Sequence, residues 1–438
     1  MTGEVPESAN RGVHDRELQT LLQALDTQLV AEDARLPERY PGDSPSRQPV
    51  HTVYVPADQL RPGLCADWGR RALRCVDDHA PDAETLATAL GLNHAAVTDA
   101  LPLVRDKLRT EPVEDLRIDF EDGYGTRSDR EEDGHVLASA RALLADMRAG
   151  QAPPFVGLRP KGMEAAGRHR GVRTLTMFLE EVLAGADRLP DGLRITLPKI
   201  TSVRQVEAMA WLTERLEKRL GLPEGVLGFE LQIETTQSIL DTDGTTAVSR
   251  MIHAGGGGAA NGGRVTALHF GTYDYSAACG VTAAYQSMAH PAADHAKAVM
   301  QVAAAGTGVW LSDGSTNILP VGSTEAVHAA WRTHSDLVRR SLERAFYQGW
   351  DLHPHQLPTR YLATYVFFRD AFPRAAERLR TYLAGDGSGV IDEPATAQAL
   401  AAGLLRGLRC GALTEDEVTS ATGATLTDLT TLASRRVG

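Results

Sequence analysis

Short apolar segments alternate with longer helix-like segments along most of the chain after residue 50. The short segments read HTVYVP (51–56), DLRIDF (115–120), FVGLR (155–159), LRITLP (193–198), LGFELQIE (227–234), VTALHF (265–270), GVWLS (308–312) and WDLH (350–353). Segments with helical patterns lie between them, for example 204–220 and 325–348. Strands that alternate with helices form parallel βαβ units. Eight repeats of this unit predict an α/β fold in the form of a closed (β/α)8 TIM barrel.

Regions of a different character flank the predicted barrel. Residues 1–50 form an N-terminal extension, which we predict to be disordered to about residue 14 and helical over 17–32, with a Pro-rich linker after that. The barrel domain is predicted over 51–357. A C-terminal helical region follows over 358–438, with helices predicted at 361–383, 394–410 and 415–435. We expect this region to contact a neighbouring subunit or to cover the active site.

Composition narrows the classes of partner. The formal net charge is -12, which disfavours nucleic acid and anionic membranes, because both need a basic surface. No apolar run approaches the roughly 18 residues that span a bilayer. The N-terminus lacks an apolar signal region, and the 4 cysteines form no C-x-x-C pair. We therefore predict a cytoplasmic protein with no membrane or nucleic-acid partner.

Gly-rich residues interrupt the pattern at 253–264, HAGGGGAANGGR. This segment has no G-K-[ST], so it predicts a flexible surface loop rather than a phosphate-binding loop.

Ionisable residues occur at the carboxyl end of nearly every predicted strand. They are Asp119, Glu121 and Asp122 for the second strand, Arg159 and Lys161 for the third, Lys199, Glu234, Asp274, Asp313 and His353 for the later ones. The opposite strand ends carry fewer of them. Active sites of (β/α)8 enzymes are built at the carboxyl ends of the strands. The asymmetry therefore predicts a charged active site at that end of the barrel.

Polar residues alternate with apolar ones along the fifth strand. Glu230, Gln232 and Glu234 share one parity, and one face of a barrel strand points into the barrel. Three buried polar side chains are costly unless they are paired or bind something. This pattern indicates that the fifth strand contributes residues to a functional site.

Glu234 and Asp274 are the natural candidates for a metal site. Mg²⁺ prefers carboxylate oxygens and often takes only one or two of them, with water and substrate oxygens completing the shell. A small anionic carbonyl compound such as a 2-oxo acid could supply those oxygens, and the metal would stabilise an enolate. Arg159 suits a substrate carboxylate, because its planar fork matches two oxygens. Asp122 is our hypothesis for the general base.

Seven stretches resemble one known family. They are VYVPADQ, RIDFEDGYG, VGLRPKG, ITLPKITS, FELQIETTQSI, HFGTYDYSAACGV and GWDLHPHQL, and they lie in order between about residues 51 and 357. The sequence resembles the HpcH/HpaI aldolase and citrate lyase β-subunit family, which includes malyl-CoA lyase-like proteins. The resemblance implies a (β/α)8 barrel and a Mg²⁺- or Mn²⁺-dependent lyase that acts through an enolate. It also implies a homo-oligomer, a trimer or a hexamer.

The resemblance assigns roles to several residues. It implies metal ligation by Glu234 of QIETT and by Asp274 of GTYDYSAACG, and substrate binding by Arg159 of GLRP. Glu121 and Asp122 match the acidic pair of the family and are the catalytic candidates beside Arg159. We add Lys199, Gly271, Thr272 and Asp313 as candidate substrate-binding residues. The sequence departs from the family where Tyr273 and Tyr275 flank Asp274. It shows no dedicated signature for CoA, so we do not assume a thioester. We expect the substrate to be a 2-oxo acid or an acyl thioester.

Three alternatives remain open at this point. Lys199 could form a Schiff base with a carbonyl substrate, which would require a lowered lysine pKa. The same metal site could hydrolyse a thioester, with Asp313 or Asp122 orienting the water. The barrel could also be a binding protein without catalysis, because fold does not fix function.

Overall fold

Eight parallel strands form one barrel sheet in the computed structural model, which describes residues 7–44, 46–256, 263–384 and 393–434. The strands are β1 His51–Pro56, β2 Asp115–Asp119, β3 Phe155–Arg159, β4 Leu193–Leu197, β5 Phe229–Ile233, β6 Val265–Phe270, β7 Trp310–Ser312 and β8 Gly349–Asp351. Their order is β7-β6-β5-β4-β3-β2-β1-β8. A parallel bridge between Ser312 and Gln348 and a 3.1 Å bond from Trp350 N–H to the Gly314 carbonyl close the ring. The predicted (β/α)8 fold is confirmed.

Helices surround this barrel and extend beyond it. They are α1 Glu7–Arg39, α2 Leu64–His79, α3 Ala83–Leu90, α4 His94–Thr110, α5 Asp129–Arg148, α6 Arg168–Gly185, α7 Val203–Leu220, α8 Thr236–Ile239, α9 Ala247–Ala254, α10 Thr272–Ala278, α11 Pro291–Ala304, α12 Thr324–Glu343, α13 Leu357–Ala384, α14 Pro394–Cys410, α15 Glu415–Thr422 and α16 Leu426–Ala433. Capping residues set their starts; Ser128, for example, forms a capping box with Glu131 at α5. Within the described ranges, no helix combines the length and apolarity of a membrane span.

In the fifth strand, the face that points into the barrel is polar and the opposite face is apolar. Outward residues such as Leu231 pack against the helices, whereas Glu230 points inward, as its parity predicts. The Arg117 guanidinium donates to Asp115 at 2.8 Å and to Glu230 at 3.2 Å, and the Thr196 hydroxyl donates to Glu230 at 2.6 Å. These bonds offset the burial of Glu230, so internal pairing accounts for this residue without a substrate.

A second buried polar cluster joins the barrel to its outer helices. Asp351 of β8 lies 2.9 Å from Nδ1 of His51 in β1 and 3.1 Å from Nε2 of His334 in α12. The guanidinium of Arg360 in α13 donates to the same carboxylate at 3.0 Å. Burial alone would raise the pKa of Asp351, but Arg360 and the two histidines hold it well below its usual range. The first half of α13 is thereby fixed to the barrel.

The C-terminal helices form a smaller apolar core of their own. Leu379 of α13 packs there with residues of α14, α15 and α16, such as Leu404, Val418 and Leu429. The single helix predicted at 415–435 is wrong, since two helices occupy this part. Gly423 adopts a left-handed conformation with φ 73° and ends α15, and Thr425 caps α16. Division of the chain at residue 357 stays a prediction.

The N-terminal segment is more helical than predicted. Helix α1 begins at Glu7, although we expected disorder to about residue 14. No proline interrupts the chain between Glu7 and Leu36, so one helix runs through it. The leucines behind the helical prediction, Leu18 and Leu25 among them, are exposed in this chain. Residues 1–6 and half of the Gly-rich segment, residues 257–262, lie outside the described residues.

Candidate active site

Arg159, the last residue of β3, is held in place by Asp119, the last residue of β2. Its Nε and Nη2 atoms donate to the two carboxylate oxygens of Asp119, both at 2.7 Å. Nη1 donates to Oε1 of Gln232 at 3.2 Å, and the guanidinium lies 4.8 Å from the centre of the Tyr54 ring. Burial opposes the charge, but the Asp119 carboxylate outweighs it and raises the pKa of Arg159. Arg159 is therefore a fixed cation.

Two N–H groups of the Arg159 guanidinium make no hydrogen bond to the residues that the structure describes. A guanidinium has five N–H groups, and the bonds to Asp119 and Gln232 use three of them. The two that remain are one on Nη1 and one on Nη2, so the Nη1–Nη2 edge could bind a carboxylate. Glu121 Oε2 lies 3.4 Å from Nη1. A bound carboxylate at this edge would therefore sit beside Glu121.

The loop after β2 carries the acidic pair. Asp119 orders this loop, because its carboxylate accepts from the backbone N–H of Glu121 at 2.9 Å and of Gly123 at 2.8 Å. Burial, and then the neighbouring Asp122, raise the pKa of Glu121 to about 7, although Arg159 opposes the shift. Burial would also raise the pKa of Asp122, but the hydrogen bond from Lys199 lowers it. The pKa values of the two adjacent acids are thus shifted in opposite directions.

Lys199 lies at the centre of the acidic cluster. Its backbone has φ 52°, an uncommon conformation for a residue with a side chain, and its N–H donates to Oε1 of Glu234 at 2.7 Å. The ammonium donates to Asp122 at 2.8 Å and to Asp274 at 2.7 Å. Burial would lower the pKa of Lys199, but Glu234 and the other acids raise it above its usual range. Strained backbone of this kind concentrates at functional sites.

Glu234 and Asp274 approach the same space from β5 and α10. Glu234 is 1% exposed, and burial raises its pKa to about 8, against the opposing effect of Lys199. Gly271 makes room for it, because a Cβ at position 271 would lie 2.4 Å from Glu234 Cβ and 2.8 Å from Oε2. The Asp274 side chain is 48% exposed, so one side of the cluster is open to water.

This donor set fits a hard divalent cation. Glu234 and Asp274 offer carboxylate oxygens, and Asp274 faces solvent, where Mg²⁺ could keep several waters. Among the residues described, no three or more His, Cys, Asp or Glu side chains form a group that could hold a metal. Two protein carboxylates are nevertheless a common complement for Mg²⁺. The residues could hold the predicted ion, provided that water and substrate complete its shell.

The structure does not bring every candidate into the cluster. The Asp313 carboxylate accepts from Lys297 of α11 at 2.9 Å and from Ser341 of α12 at 2.7 Å, and its other oxygen accepts from Gly314 N–H. Asp313 therefore ties β7 to its helices, and we leave it out of the site. Thr272 is 2% exposed and lies against Gly314. The cluster comprises Arg159, Glu121, Asp122, Lys199, Glu234 and Asp274, with Gly271 against Glu234.

Sequence reasoning gave no site role to Asp119 and Gln232. Asp119 was noted only as a strand-end acid, and Gln232 only as an inward residue of the fifth strand. Both have the inward parity of their strands, and each lies two positions before a recognised candidate, Glu121 or Glu234. Strand parity was therefore the available signal, but the identity of their partners depends on which strands are adjacent.

Together, the fold and the cluster define a (β/α)8 barrel with a charged site at the carboxyl ends of its strands. The chain belongs to the family described as "Domain of unknown function (DUF6986)", whose model matches residues 29–437. No curated protein matches this chain.

Solved structures support the fold. A citrate lyase from Burkholderia xenovorans LB400 is similar, with 19% identity, a TM-score of 0.56, and coverage of 86% of this chain and 97% of that one. The fold expected from the family resemblance is thereby confirmed. A Mycobacterium tuberculosis CitE in complex with magnesium, acetoacetate and coenzyme A has 16% identity, a TM-score of 0.47 and coverages of 84% and 100%. A Haloferax volcanii malate synthase has 15% identity, a TM-score of 0.47, and coverage of 87% of this chain and 89% of that one.

Proposed function

We propose that this protein is a divalent-metal-dependent carbon–carbon lyase of the aldolase type. It would act through the enolate of a 2-oxo acid or an acyl thioester. The observation that carries the proposal is the Nη1–Nη2 edge of Arg159 near the two carboxylates of Glu234 and Asp274, linked to them through Gln232 and Lys199. A fixed cation beside a metal site would match a small molecule that carries a carboxylate and an adjacent carbonyl.

In this proposal, each residue has a physical task. Arg159 binds the substrate carboxylate through Nη1 and Nη2 and so orients the carbonyl group. Mg²⁺ or Mn²⁺ held by Glu234 and Asp274 would supply the Lewis acid for charge that develops on the carbonyl oxygen. The Lys199 ammonium balances part of the negative charge of the cluster, since it lies within 2.8 Å of Asp122 and Asp274.

Glu121 is the stronger candidate for the base. Its pKa of about 7 suits proton transfer near neutral pH, and its carboxylate lies 3.4 Å from Arg159 Nη1, next to the proposed substrate. In the direction of carbon–carbon bond formation, and in proton exchange, it would accept the proton from the carbon beside the carbonyl. Asp122, our initial hypothesis, has a lowered pKa and is bound to Lys199, which makes it a weaker base. Glu121→Gln should abolish proton exchange, whereas Asp122→Asn should only reduce it.

The Schiff-base alternative is not favoured by the surroundings of Lys199. An imine-forming lysine needs its neutral amine, and the acids around Lys199 raise its pKa instead. Borohydride treatment in the presence of pyruvate tests this, because it fixes only an imine covalently. We expect no increase in protein mass.

The central experiment is deuterium incorporation into pyruvate and other 2-oxo acids in D₂O, followed by NMR with Mg²⁺ and then with EDTA. We expect exchange that needs Mg²⁺ and disappears in Glu234→Gln. Glu214→Gln, an exposed change on α7, is the matched control and should exchange like the wild type. Absence of exchange with every 2-oxo acid, together with thiol release from an acyl thioester without a second carbonyl product, would favour thioester hydrolysis. Absence of Mg²⁺ binding would favour a non-catalytic binding protein.

Two further expectations accompany this proposal. We retain the prediction of a homo-oligomer, a trimer or a hexamer, which sedimentation analysis would test. Cytoplasmic localisation likewise stays a prediction.

A further inference from the structure

Gln232 joins the proposed carboxylate site to the proposed metal site. Its Oε1 accepts from Nη1 of Arg159 at 3.2 Å, and its Nε2 donates to Oε2 of Glu234. The side chain is 1% exposed, and all of these bonds lie inside the barrel mouth. We propose that Gln232 is a positioning residue that sets the orientation of Arg159 and Glu234 together. This inference rests on the proposed function.

Only a primary amide suits both partners. Arginine can only donate, so it needs the amide oxygen. Glu234 must be ionised to hold a metal, and in that form it can only accept, so it needs the amide N–H₂. The orientation of the amide follows from these two facts. An apolar side chain would leave a buried guanidinium N–H and a buried carboxylate oxygen without a partner, which is costly. A glutamate at 232 would keep the acceptor but would lose the donor that faces Glu234.

The bonds of Gln232 have a consequence for ligand binding. It takes one of the two N–H groups of Arg159 Nη1, which limits how the guanidinium can rotate and leaves one N–H on Nη1 and one on Nη2. At Glu234 it fixes Oε2, while the Lys199 backbone N–H fixes Oε1. Residues that orient the groups directly bound to a metal typically alter its affinity by 10–100-fold. Loss of Gln232 should therefore weaken metal binding through Glu234 and carboxylate binding through Arg159.

The test compares Gln232→Met with Gln348→Met. Methionine is similar in length and makes neither hydrogen bond. Gln348 is 2% exposed, lies just before β8 at the opposite end of the barrel, and donates to Thr52 at 2.9 Å. Binding of Mn²⁺ alone is measured by electron paramagnetic resonance. Binding of pyruvate to the Mg²⁺-loaded protein is measured by calorimetry, and stability by thermal unfolding.

We expect Gln232→Met to weaken both Mn²⁺ and pyruvate about tenfold or more. Gln348→Met should lower the melting temperature without changing either affinity. Gln232→Glu, a second variant, should keep the pyruvate affinity near wild type and alter that for Mn²⁺. Wild-type affinities in Gln232→Met, or equal losses in Gln348→Met, would overturn the inference and leave the proposed function intact. A wild-type protein that binds neither probe would instead overturn the proposed function, and this inference with it.

Discussion

Replacement of Asp119 by asparagine is the most informative single change, because one carboxylate anchors both Arg159 and the loop after β2. Asparagine keeps the shape and one oxygen. The second oxygen of Asp119 accepts from Arg159 Nη2 at 2.7 Å and from Gly123 N–H at 2.8 Å, and an amide N–H₂ placed there would face two donors. If the amide is turned over, the donors lost are Arg159 Nε and Glu121 N–H instead.

The expected magnitude follows from these bonds. Two hydrogen bonds to a charged group are lost, each worth about 1.5–3 kcal/mol. Breaking one partner of a buried ion pair costs about 3–5 kcal/mol, and both side chains are nearly inaccessible here, at 6% and 2%. We therefore expect Asp119→Asn to lower the free energy of unfolding by about 3–5 kcal/mol. A misaligned Arg159 should also weaken pyruvate binding at least tenfold, which corresponds to about 1.4 kcal/mol.

Urea unfolding followed by circular dichroism measures the first effect, and calorimetry with pyruvate the second. Asp336→Asn, an exposed change on α12, is the control. An unchanged denaturant slope permits direct comparison of midpoints. A loss below about 1 kcal/mol in Asp119→Asn would refute the argument, since it would show that Arg159 finds other partners.

Three other changes test separate parts of the structure. Asp351→Asn should destabilise the fold by about 3–5 kcal/mol at pH 7. Because the folded pKa of Asp351 is lowered, its contribution is present above the unfolded value of about 3.9 and is lost as the pH falls below it, so wild type and variant should converge in acid denaturation. Gly271→Ala should weaken Mn²⁺ binding, because its Cβ would collide with Glu234. Gly403→Ala is the control, because a Cβ there meets no atom within 4 Å, and it should stabilise α14 by about 0.5–1 kcal/mol. Asp313→Asn should lower the melting temperature, because it weakens the partner of buried Lys297, and equal Mn²⁺ affinity would support its exclusion from the site.

The barrel could be predicted from the sequence because its signal is local. All eight strands were placed within about two residues, since β-rich segments and helical segments have different periods. Errors arose where local signals compete: α1 continues through polar residues that resemble a disordered segment, and Gly423 splits a segment that reads as one helix. Helix boundaries depend on single capping residues, and a periodicity averaged over many positions does not resolve them.

The sequence by itself determined which residues stand at the carboxyl ends of the strands, because the order of strands and helices places every strand end on one face of the barrel. Arg159, Glu234 and Asp274 follow from that rule and from the family resemblance. Only the tertiary structure decided which of these groups face one another. Asp313 turns to Lys297, whereas Gln232 of β5 reaches Arg159 of β3 across the intervening strand β4. Such pairings depend on side-chain direction and on strand register between segments distant in sequence, and no local pattern contains either.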